Sequence, residues 1–180
     1  MASYDSDAEP FSLEGVRTKA KVVKVYDGDT FKCVFGLPEL FGGRQYLWTC
    51  RVAGIDTPEL RRAGPQEKAW GIAARNRMRE LIMDKEIMVQ VEGYDKYGRL
   101  LAVPFIIGGD GDDSVVRGSA DATAQDSSAV GEASDSYAVV TEVDAGQKLI
   151  QEGLATAYMG YGKKTQWETI EPPAHVKIQG

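Results

Sequence analysis

Between Lys19 and Ile55 the chain reads as short sheet-like runs, and a proline ends the last of them. Ala20, Val22, Val23 and Val25 precede Phe31, Cys33, Val34 and Phe35, with Asp27-Gly28 as the turn between. Gly36-Leu37-Pro38 and Gly42-Gly43 bracket a loop, and the pattern resumes from Tyr46 to Ile55. It stops at Asp56-Thr57-Pro58, because proline lacks the amide hydrogen that a strand ladder needs.

Gly64-Pro65 then opens a helix in which Trp70, Ala73, Ala74, Arg77, Met78, Leu81 and Ile82 recur at helical spacing, with Gly71 a mild weakness. Two further strands, Ile87 to Val91 and Leu100 to Ile107, flank the turn Asp95-Lys96-Tyr97-Gly98. A second helix runs from about Asp144 to Gln151 and ends at Gly153, a suitable C-cap. Leu154 to Tyr161 reads as a short extended piece, and Glu171-Pro172-Pro173 precludes a continuous helix over the tail. Five strands with a helix between the third and fourth predict an α+β chain, a five-stranded Greek-key β-barrel of the OB type with two main helices.

At 180 residues there is room for one well-buried core. Residues 1–15 read as a disordered acidic arm, and 16–180 as a single domain carrying a disordered acidic insertion at about 108–140. The net charge of −6 hides a division. The first 14 residues carry four acids and no base, and 109–144 carry nine acids against Arg117 alone, so the remainder is at +6. A basic core suits a polyanionic partner, and the acidic segments are expected to screen it.

No run has the length of a membrane span, so no membrane partner is expected. Met1 to Pro10 lacks the basic and apolar regions of a signal peptide, which favours an intracellular location. The spacing of Cys33 and Cys50 fits no zinc motif, and the two read as buried free thiols, with a cross-strand disulfide as the alternative. The single histidine, His175, lies in the tail and excludes chemistry that needs a histidine pair. A base should therefore be a carboxylate or metal-bound water.

Three segments carry the candidate chemistry. Asp27-Gly28-Asp29-Thr30 is a good hairpin turn, and the functional reading adds that the Asp29 carboxylate points off the barrel. One carboxylate seldom holds a hard cation, which wants several oxygens. Asp56-Thr57-Pro58-Glu59 is either a capped loop or the source of those oxygens: the Asp56 carboxylate, the Thr57 carbonyl, and Glu59 free to orient or deprotonate a water. Arg51, inside an apolar run, pairs with an acid such as Asp56 or Glu59 or awaits a phosphate. In Asp95-Lys96-Tyr97-Gly98-Arg99, the turn itself leaves Arg99 unexplained. A guanidinium at a strand start beside Lys96 and Tyr97 suits bidentate phosphate contact and base stacking. Tyr158 and Tyr161 extend that surface or pack in the core, and Arg75, Arg77 and Arg79 read as a solvated helix face, with nucleic-acid contact as the alternative.

Taken jointly, these motifs in this order, with Gln151-Glu152-Gly153-Leu154-Ala155 after them, resemble the staphylococcal nuclease (thermonuclease) family from about Lys19 to Tyr158, the insertion excepted. The resemblance implies a nuclease acting on single-stranded or frayed DNA and on RNA. It implies Asp29, Asp56 and the Thr57 carbonyl as ligands of one Ca²⁺, with Asp27 in the outer shell. Glu59 would orient and deprotonate the attacking water, Arg51 and Arg99 would clamp the phosphate, and Lys96, Tyr97 and Tyr158 would contact the nucleotide. Cleavage of the 5′ P–O bond, leaving 3′-phosphates, is implied as well.

The chain departs from the family in the short loop after Glu59, in the acidic insertion, and in a C-terminal helix that is reduced or absent. It is expected to act as a monomer. The rival readings are a non-catalytic OB module that holds nucleic acid, and a protein-interaction module that uses the acidic insertion.

Overall fold

A computed structural model describes residues 10–61, 63–108, 141–160 and 165–176. In chain order the elements are β1 (Arg17–Val25), β2 (Thr30–Phe35), α1 (Pro38–Phe41), β3 (Tyr46–Val52), β4 (Ile55–Asp56), α2 (Pro65–Ile82), β5 (Glu86–Tyr94), β6 (Leu100–Ile107), β7 (Glu142–Asp144), α3 (Ala145–Gln151) and β8 (Thr156–Ala157). The main sheet runs β3-β2-β1-β5-β6-β7, and β3 pairs a second time, parallel, with β6. That second pairing, Cys50 opposite Leu100 and Val52 opposite Ala102, closes five strands into a barrel.

The barrel closes because each strand presents one apolar face to the same interior. Val22, Val25, Phe31, Cys33, Phe35, Cys50, Ile87, Val89 and Leu100 are all buried there. Register shifts between Val22 and Lys24 in β1, and between Val91 and Gly93 in β5, supply the bends that closure requires. Helix α2 lays Trp70, Ala74, Met78 and Ile82 into the core. Asp144 caps α3 by accepting from the Gly146 and Gln147 amides at 2.7 and 3.1 Å. Gly153, at φ +70°, ends the helix as expected, with the Leu154 amide donating back to the Leu149 carbonyl at 2.8 Å.

Several local expectations are corrected. The run from Tyr46 to Ile55 is not one strand: Gly54 takes φ +76°, the chain turns, and Ile55–Asp56 leave to pair with Ala157–Thr156. The loop after Gly36 contains a single helical turn, α1. Residues 13–15, expected within the arm, are held by the barrel. Leu13 is fully buried, and the Gly15 amide donates to the Val91 carbonyl at 2.8 Å. The expected acidic insertion lies, from residue 109, outside the described residues. The described residues on either side of it pair, with the Gly108 amide donating to the Thr141 carbonyl at 2.9 Å and β7 added beside β6.

The arginines of α2 are not simply solvated either. Arg77 grips the Glu152 carboxylate with Nε and Nη2, both at 2.8 Å, and Arg79 donates to the Val25 carbonyl at 3.3 Å. Beyond β8 the described residues contain a 3-10 turn at Trp167–Thr169 and no further α-helix. Trp167 is buried edge-on against Trp70 at 4.8 Å. Cys33 and Cys50 are buried free thiols with their sulfurs 3.7 Å apart. The contact with Cys33 and burial together push the Cys50 thiol far up.

Candidate active site

The hairpin between β1 and β2 is closed by the Tyr26 amide donating to the Thr30 carbonyl at 2.9 Å. Asp29, just inside the turn, is only 5% exposed. Its carboxylate accepts from the Thr30 hydroxyl at 3.0 Å and lies 2.5 Å from Arg51 Nη1. The sheet register explains the meeting, because Thr30 stands opposite Arg51 on β3. The other terminal nitrogen of Arg51 reaches Asp56 at 3.5 Å and the Ile55 carbonyl at 3.3 Å. One guanidinium thus spans two buried carboxylates from different loops. Asp56 was an expected partner of Arg51, whereas Asp29, the nearer one, was not.

Arg99 stands at the entrance to β6. Its Nε donates to Asp95 at 2.6 Å, and Nη1 donates to the Thr30 hydroxyl at 3.3 Å. Thr30 therefore links the two arginine clusters, donating to Asp29 and accepting from Arg99. Sequence reasoning gave Thr30 no role, although it closes the Asp-Gly-Asp-Thr motif. Tyr97 is exposed on the turn, with the Arg99 guanidinium 5.6 Å and the Lys96 ammonium 5.1 Å from its ring centre.

The electrostatics follow from burial. Desolvation raises the Asp29 carboxyl to about 6, with Arg51 opposing the rise and Asp27 adding to it. Asp95 moves the other way: burial pushes it up, but the hydrogen bonds from Arg99 and the Tyr97 amide outweigh that and hold it low. Asp29 and Asp56 bring hard oxygen donors together in a dry setting beside Arg51, and such donors suit a divalent cation. Thr57 is buried beside them. Among the described residues no three His, Cys, Asp or Glu side chains cluster at metal-binding distance, so a carbonyl or water oxygens must complete any such site. Glu59 is exposed, and its amide donates to the Glu67 carboxylate at 3.0 Å.

A cleft of about 380 Å³ opens beside Arg51, lined by Gly54, Glu92, Leu101, Gln147 and Tyr158 among others. Tyr158 is fixed there by its amide, which donates to the Gly54 carbonyl at 2.9 Å. Lys96 and Tyr97 do not line this cleft, and Tyr161 lies outside the described residues. The cleft is mostly apolar, with Arg51, Glu92 and Asp144 as its charged residues, which suits a flat ring.

Fold and site together define an OB-type barrel whose strand ends gather two buried aspartates and two arginines. The family model for staphylococcal nuclease homologues matches residues 49–175, and the chain belongs to that family. It is 28% identical over 153 residues to a micrococcal nuclease of Shigella flexneri, an alignment spanning 85% of this chain and 66% of that protein. It is 34% identical to an uncharacterized protein of Methanocaldococcus jannaschii, over 48% of this chain and 47% of the other. To an uncharacterized endonuclease of Haemophilus influenzae it is 30% identical, over 49% and 43% of the two chains. The chain thus spans between two fifths and two thirds of the length of these relatives. None of its described helices is long and apolar enough to cross a membrane.

Proposed function

We propose that this chain is a nuclease that hydrolyses phosphodiester bonds of single-stranded or frayed DNA and of RNA with the help of one divalent cation, Ca²⁺. The observation that carries the reading is the span of Arg51 across Asp29 and Asp56, with Arg99 joined to the same cluster through Thr30. Membership of the nuclease family, and the nuclease and endonuclease names of two relatives, support it.

Asp29, Asp56 and the Thr57 carbonyl would hold the cation, which when bound supplies positive charge to polarise the phosphate. Glu59, exposed beyond the buried pair, orients a water and accepts its proton. Arg51 and Arg99 donate to the phosphate oxygens and offset the charge that develops on them. Both are pre-aimed by carboxylates in the described structure, so their side-chain entropy is already reduced before substrate arrives. Tyr158 in the cleft, with Lys96 and Tyr97 on the β5–β6 turn, contacts the nucleotide.

Incubation of the purified protein with heat-denatured DNA and with RNA, in Ca²⁺, in Mg²⁺ and in chelator, tests this reading. Ca²⁺-dependent cleavage is expected. Binding of either polymer without cleavage under any metal, by protein whose fold is verified, would favour a non-catalytic nucleic-acid module.

A further inference from the structure

Helix α2 carries a glycine at position 71, in its second turn, where glycine weakens a helix by loosening the unfolded chain. The reason for it lies outside the helix. A Cβ at Gly71 would stand 2.7 Å from the Pro58 carbonyl oxygen and 3.2 Å from that of Glu59. The backbone that delivers Glu59 therefore rests directly on α2 at this residue. One turn earlier, Glu67 accepts the Glu59 amide hydrogen at 3.0 Å. Glu67 is the third residue of the helix after Gly64, the place from which an acid ordinarily reaches back to its own helix cap. Here it reaches to Glu59.

The same face continues to Ala74. A Cβ at Gly28 would lie 3.0 Å from Ala74 Cβ and 2.8 Å from Thr57 Cγ2, so the Asp27–Asp29 turn settles on the next turn of α2. Positions 67, 71 and 74 are spaced to share one side of a helix. That side carries both acidic loops. The neighbouring pair, Gln66 and Trp70, faces the C-terminal segment: Gln66 Nε2 donates to the Ile170 carbonyl at 3.2 Å, and Trp70 packs on Trp167. The first turns of α2 are thereby clamped from the side that does not carry Glu59.

We propose that Glu67 and Gly71 are positioning residues for Glu59: Glu67 fixes its backbone amide, and Gly71 sets how closely its loop approaches the site. The catalytic part of this inference rests on the nuclease reading, while the structural part stands without it. A carboxylate must be held in place to take a proton from a water oriented for attack, and displacement by about 1 Å can cost up to about 100-fold in rate. The chain from Glu59 to the helix is short, so the helix surface takes a direct part in the holding.

The test uses the full chain with Glu67→Ala, Glu67→Gln and Gly71→Ala, each checked for its melting temperature. Hydrogen exchange at the Glu59 amide, followed by NMR, needs no activity, and kcat and KM are read on denatured DNA with Ca²⁺. Glu67→Ala should speed Glu59 amide exchange about tenfold and lower kcat about tenfold with KM nearly unchanged, both restored by Glu67→Gln, which keeps an acceptor. Gly71→Ala should lower kcat similarly although alanine favours helix. An unchanged Glu59 exchange rate in Glu67→Ala would overturn the proposal. So would unchanged kcat in Glu67→Ala when the parent protein cleaves DNA. A parent protein that cuts nothing would refute the nuclease reading, and the exchange data would still decide whether Glu67 holds Glu59.

Discussion

Arg51 lies 2.5 Å from Asp29, the residue just before Thr30, its own cross-strand neighbour. The strand register delivers the guanidinium to the hairpin turn, and the chain reversal at Gly54 returns Asp56 to its other side. Two loops remote in sequence are thus joined through one side chain, and their two carboxylates offer hard oxygens to a cation.

Asp29→Asn removes a buried oxyanion from the proposed cation site, while Glu59→Gln changes an exposed neighbour. Calorimetric titration with Ca²⁺ should show at least about a tenfold loss of affinity for Asp29→Asn and a much smaller one for Glu59→Gln. Equal losses would place Glu59 among the ligands. Full activity in Glu59→Gln would remove it from water activation.

The Arg77–Glu152 pair ties α2 to the end of α3. The Arg77 hydrogen bonds, as the main cause, hold the Glu152 carboxyl below its ordinary value, with burial opposing. A depressed carboxyl stabilises the fold above the unfolded value, 4.5 for Glu, and loses that contribution as pH falls through the folded one. Urea unfolding should find Glu152→Gln less stable than the parent near neutral pH, with the gap closing below about pH 4. A gap of the same size at both pH values would contradict an ionic origin.

Trp167 is 4% exposed and meets Trp70 edge to face. Trp167→Ala should lower the unfolding free energy by about 3 kcal/mol, at the lower end for a buried aromatic because the indole nitrogen is buried without a partner among the described residues. A loss under about 0.5 kcal/mol in denaturant titration would mean that the C-terminal segment contributes little to the core.

The barrel was legible in the sequence because each strand buries one face, and that physical demand writes a period of two into runs such as Phe31 to Phe35. The turns announced themselves through Gly28 and Gly98, and the end of α3 through Gly153. What escaped notice depends on contacts distant in sequence. Leu13 and Trp167 lie in stretches with no periodicity, and only the core they meet explains their burial. Gly71 looked like a defect within its own helix, and its cause is the Pro58 carbonyl passing beside it. In the site, Asp29, Asp56, Arg51 and Arg99 were each legible as chemistry. The Thr30 hydroxyl that joins them was not, because a threonine after a turn has an ordinary strand role.

The most direct measurement is cleavage of heat-denatured DNA in Ca²⁺ by the parent protein and by Arg99→Lys, with circular dichroism confirming the fold of both. Lysine keeps the charge at Arg99 and loses the planar fork that now spans Asp95 and Thr30. The parent should cut, chelator should stop it, and Arg99→Lys should retain about 1% of the turnover or less. A folded parent that leaves the DNA intact in Ca²⁺, or an Arg99→Lys variant that cuts as fast as the parent, would contradict the proposed phosphodiester chemistry.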